Sequence, residues 1–123
     1  MRRRREVPKL TAARGLLRKQ SDRGHQIHHV IRDDGKIPTE YESWLKESLS
    51  VVEEVRGEPE RNVFERRISD IKEAYKREPD KDREIREAEE IAVSIAMNLS
   101  QTAGCTEEAD VSPKFDPAEW NID

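Results

Sequence analysis

One cysteine, five glycines, six aromatic residues and no long apolar run occur in the 123 residues of this chain. Each scarcity removes a class of protein. A lone thiol, Cys105, forms neither an internal disulfide nor a cysteine-based zinc cluster, since both need a second thiol; a reducing, intracellular setting is expected. Without about 18 consecutive apolar residues no transmembrane helix is predicted. The arginines at the start are followed by no apolar stretch, so no secretory signal is expected. The glycines are scattered and build no phosphate-binding loop. Hydrophobic residues make up 33% of the chain and charged residues 41%. So thin an apolar supply predicts one small core, near the size at which a single domain is marginal alone. Assembly, as a homo-oligomer or as a subunit of a larger complex, would cover more apolar surface.

Catalytic constellations are also missing. The three histidines, His25, His28 and His29, fall within five positions, with Asp22 one turn before and Asp33 one turn after. Imidazoles and a carboxylate at that spacing can ligate a transition metal. A solvated helix face is the commoner origin of such a cluster, and no metal or other cofactor is expected. No glutamate has a histidine three residues later, which excludes a di-iron bundle. The run from His28 to Gly35 is similar to the opening of an HNH nuclease motif, where paired histidines precede an apolar residue and a later glycine. The similarity spans eight residues, no histidine follows His29, and the flanks read as helix, so nuclease activity is not expected. No serine has a nucleophile's context. The chain reads as a non-enzyme.

What the sequence does hold is charge, unevenly divided. Residues 1–36 carry 11 Lys/Arg against 4 Asp/Glu, and residues 37–123 carry 12 against 23, which together give the net charge of −4. Such asymmetry points to an anionic partner for the basic end, or to head-to-tail contacts between copies.

Apolar spacing predicts an all-α fold: a small antiparallel bundle of about four helices, with a basic N-terminal arm (1–8), a helical domain (9–104) and an extended acidic tail (105–123). Leu10, Ala13, Leu17, Gln20, Gly24, Ile27 and Ile31 place one face on a first helix over 9–33. That face is weak between Arg18 and Gln26, and Gly24 predicts a bend or break there; Asp34-Gly35 ends the helix. Thr39 with Glu42 three residues on reads as a capping box opening the second helix. Its stripe is Tyr41, Leu45, Leu49, Val52 and Val55, with Trp44 and Val51 on the flank, and Gly57 stops it. The third helix starts near Pro59, shows Phe64, Ile68, Ile71 and Tyr75, and ends before Pro79. The fourth starts near Asp80 or Asp82 and ends at Gly104. It buries Ile85, Ala88, Ala92, Ile95 and Leu99, widened by Ile91 and Ala96, and as the most apolar helix it belongs at the centre or at a subunit interface.

Two polar ends carry the functional expectation. Arg2, Arg3, Arg4 and Arg5, continued by Lys9, Arg14, Arg18 and Lys19, form a basic strip suited to neutralising phosphates. No aromatic stands among them, so bases have no stacking platform and binding would be to the backbone, without sequence specificity. Phe115 and Trp120 lie in an otherwise disorder-like tail and read as anchors for a partner. The leading expectation is a non-enzymatic assembly subunit, cytoplasmic or virion-associated, with its arm on nucleic acid and its helices and tail on neighbouring subunits. Small packaging or capsid-associated subunits of viruses and phages have this layout. The alternative is a protein-binding adaptor or inhibitor that uses its acidic surface and the Phe115/Trp120 tail.

Overall fold

The computed structural model describes residues 7–120. Four helices follow one another: α1 (Val7–Asp34), α2 (Glu40–Arg56), α3 (Glu58–Tyr75) and α4 (Arg83–Cys105). Each packs on its neighbour in sequence, and α4 returns to α1 in the most extensive of the contacts. Short connections favour this up-down-up-down antiparallel order. No strand occurs among the described residues.

Local chemistry sets most of the helix ends. Gly35 (φ 65°) and Gly57 (φ 101°) adopt the left-handed backbone that side chains disfavour. Their N–H groups donate to Ile31 O at 2.9 Å and Glu53 O at 2.7 Å, closing α1 and α2. Gly57 is the whole connection between α2 and α3, and Pro59 stands in the first turn of α3, where its missing N–H costs nothing. The expected cap at Thr39 is absent: this residue is already helical (φ −62°, ψ −29°) and its side chain makes no capping hydrogen bond. Instead, the Tyr41 N–H donates to Pro38 O at 3.1 Å, so α2 grows out of a backbone turn. The α3–α4 connection is held by Arg86, whose guanidinium donates to Glu78 at 3.0 Å and Asp80 at 2.7 Å.

Gly24 does not bend α1, which runs unbroken from Val7 to Asp34. A Cβ at Gly24 would overlap the indole of Trp44 and lie 2.9 Å from the Ala96 Cβ. The glycine therefore leaves room for Trp44 of α2 and Ala96 of α4 to pack against the α1 backbone. Trp44 is fully buried there and its Nε1–H donates to the Gln20 carbonyl at 2.9 Å. Gln20, 1% exposed, donates to Ser48 Oγ at 3.0 Å and accepts from Arg23 at 2.8 Å, while the Ser21 hydroxyl donates to Ala96 O at 2.7 Å. The stretch of α1 that lacks apolar residues is thus a satisfied polar seam through the middle of the bundle, with no buried side-chain polar atom left unpaired among the described residues.

Burial follows the expected stripes with a shift on each of α2, α3 and α4. Trp44 and Val51 are fully buried at the centre, whereas Leu49 is only partly covered. On α3 Phe64 alone is buried, and Ile68 and Ile71 are half-covered, because half of that helix is charged and faces solvent. The expected central stripe of α4 is buried except for the half-covered Ile85.

The tail departs from the extended form expected of it. Residues Glu108–Asp110 and Pro117–Trp120 form 3-10 turns. Between them the Ser112 N–H donates to Val55 O at 2.7 Å, tying the segment to the end of α2. Phe115 is 2% exposed within the main core, with Val111 and Trp120 packed at its edge. A bundle this poor in apolar residues gains more from closing its own core with these rings than from leaving them in water.

Candidate functional site

Arg2, Arg3, Arg4 and Arg5 lie outside the described residues. Of the basic residues that follow, the fold separates Arg14 from the rest. Its Nε donates to the Thr106 carbonyl at 2.8 Å, and its guanidinium lies 3.6 Å from Glu107. Arg14 therefore holds the start of the tail against α1, through its Nε donor and its contact with Glu107. Lys9 is half-buried, and Arg18 and Lys19 stand in solvent. Among the described residues none of these three has an ion-pair partner.

A second arginine, which the sequence pattern did not single out, completes the hold on the tail. Arg56, at the end of α2, lies 3.3 Å from Asp110 and 3.4 Å from Glu60 and donates to Thr106 Oγ1 at 3.4 Å. Thr106 is fully buried between the two guanidiniums. Acidic tail and basic helix ends thus satisfy one another within a single chain. Phe115 and Trp120, expected as partner-binding anchors, face inward: the first is buried and the second half-buried, so the Phe115 ring offers a partner no surface. Their spacing shows that the tail is sticky, and only the packing shows to what.

The histidines do not converge. His28 reaches across to α4, with Nε2 at 3.3 Å from Glu89, while His29 Nδ1 lies 2.8 Å from the Arg32 guanidinium. Among the described residues no three His, Cys, Asp or Glu side chains are grouped to hold a metal ion. No described helix is long and apolar enough to cross a membrane.

At the far end of the bundle, a cavity opens beside Tyr41 between α2, α3 and α4. Burial, then the charges of Glu42 and Glu87, raise the phenol's pKa above its ordinary value. Nothing in the sequence marked this site, because Tyr41 reads as one more apolar stripe position and Glu42 as half of a capping box.

No protein-family model, curated protein or solved structure matches this chain.

Proposed function

We propose that the protein is a non-enzymatic assembly subunit. Residues 2–5 and the first half of α1 would bind the sugar–phosphate backbone of nucleic acid, and the outer helical surface would meet neighbouring subunits. One observation carries this reading: Arg18 and Lys19 are exposed, and have no ion-pair partner among the described residues, on a stretch, residues 7–21, that contains no carboxylate. Cations left free in this way attract polyanions and release their counterions on contact. Arg14, tied in part to the tail, would contribute less than Arg2 to Arg5, Lys9, Arg18 and Lys19. With no aromatic among them, binding would be to phosphates and blind to sequence. The layout suits a packaging or capsid-associated component of a virus or phage.

The adaptor reading keeps its acidic surface but loses Phe115 as an anchor. Deleting the tail would uncover the protein's own core rather than merely remove a docking peptide.

Fluorescence anisotropy with a mixed-sequence DNA duplex tests the proposal. Affinity should fall between about 50 and 200 mM NaCl, with a logarithmic slope of about 0.9 per phosphate contacted. Arg18→Ala with Lys19→Ala should lower that slope by about 2. Absence of binding at the lower salt, or a slope the double variant leaves unchanged, would overturn the assignment.

A further inference from the structure

The α1–α2 connection, the first turn of α2, the last turns of α3 and the first turns of α4 surround an open cavity of about 450 Å³. Tyr41 lines it. The residue is only 5% exposed, and its phenol has no hydrogen-bond partner among the described residues. No buried side-chain polar atom among the described residues lacks a partner, so the phenol oxygen is the accessible part of Tyr41 and opens to the cavity. Glu42, Glu84 and Glu87 line the same cavity, and none has an ion-pair or hydrogen-bond partner among the described residues. Lys72 and Arg83 complete the charged wall, so three carboxylates meet two cations and one negative charge is in excess.

Two features of this arrangement narrow the ligand. The excess charge calls for a cation. The carboxylates are not grouped tightly enough to hold a metal ion, so the cation has to spread its donors over a wall. A guanidinium does this, with five N–H donors in a planar fork that matches carboxylates. We propose that the cavity binds an arginine guanidinium, with Glu84, Glu87 and Glu42 accepting from its N–H groups and the Tyr41 oxygen taking one more. Free arginine carries one net positive charge, equal and opposite to the excess of the wall. Its carboxylate would meet Lys72 and Arg83.

The guanidinium has two sources, free arginine or the side chains of residues 2–5 of a second copy. The chain's own arm is excluded by length. Arg2 lies five residues from Val7 and reaches about 18 Å at full extension, whereas the 28 residues of α1 separate Val7 from the cavity end by about 42 Å. The inference does not depend on nucleic-acid binding, which concerns the other end of α1.

Calorimetric titration of the full chain with L-arginine, and with L-citrulline as its uncharged isostere, tests the proposal. Arginine should bind and citrulline should not. E84Q/E87Q and Tyr41→Phe should each weaken arginine by about tenfold or more, with helical circular dichroism unchanged because neither glutamate is buried. No arginine binding, equal binding of citrulline, or variants that bind as the parent would each overturn it. Sedimentation then separates the sources. An assembly lost both in E84Q/E87Q and on replacing Arg2 to Arg5 by serine identifies a second copy's arm. A monomer that still binds arginine identifies the free compound. DNA binding should be unaffected by E84Q/E87Q, so the two proposals fail separately.

Discussion

The two ends of the bundle handle charge in opposite ways. At the tail end Arg14 and Arg56 are engaged by Thr106, Glu107, Asp110 and Glu60, and Phe115 closes the core beneath them. At the cavity end Glu42, Glu84, Glu87 and the Tyr41 phenol line open space without partners among the described residues. Where charges are matched inside the chain they hold structure together. Where the chain leaves them unmatched beside a cavity, removing them should cost ligand binding and little stability.

Phe115→Ala should give the largest effect. It empties a buried ring site at the tail end and should cost about 3 kcal/mol, which lowers the melting temperature by roughly 10 °C or more; a thermal melt followed by circular dichroism reads it. Faster proteolysis beyond Cys105 should accompany the loss. A tail that stays protected in this variant would break the comparison.

Gly24→Ala comes next, at the waist between the two ends. Alanine gains about 1 kcal/mol of helix propensity, but overlap with Trp44 and Ala96 should outweigh it, since overpacking costs about 1–3 kcal/mol. Chemical denaturation should therefore show net destabilisation, and adding Trp44→Phe, a smaller ring, should recover part of it.

Arg56→Ala should cost about 1 kcal/mol, with the difference from the parent shrinking as salt rises. Arg18→Ala, at a position exposed and without an ion-pair partner among the described residues, should leave the urea midpoint unmoved. Equal losses in the two would erase the distinction between structural and free cations.

The smallest effects belong to the cavity end. E84Q/E87Q should change stability by no more than about 0.5 kcal/mol. Tyr41 adds a pH signature. Its phenol is held above the ordinary value of 10.0, first by burial and then by Glu42 and Glu87, so the fold retains a proton that the unfolded chain releases. Stability is insensitive to this group below pH 10.0 and falls as pH rises past it. Tyr41→Phe should flatten that alkaline limb in urea titrations at stepped pH.

The helices were legible because their signals are local. Gly35, Gly57 and Pro59 act through their own backbone, and the α4 stripe repeats at helical spacing. Gly24 was misread because helix propensity sees a flexible residue, while the reason for glycine lies on α2 and α4, in Trp44 and Ala96. Thr39 carried a capping pattern that a backbone turn at Pro38 made unnecessary. Of the site residues, Arg18 and Lys19 could be read as free cations, but Arg14 has the same local context and differs only in facing Thr106, far along the chain. The cavity had no sequence signal at all, since Tyr41, Glu42, Glu84 and Glu87 come from two helices that meet only in the fold.

By itself, then, the sequence determined four helices, their approximate ends, a single small core and a division of charge along the chain, because each follows from spacing and composition over a few turns. Tertiary structure alone decided which charges are used up and which stay free. Pairing depends on which side chains the bundle brings within a few ångströms of one another, and residues such as Arg14 and Thr106 are neighbours only after folding.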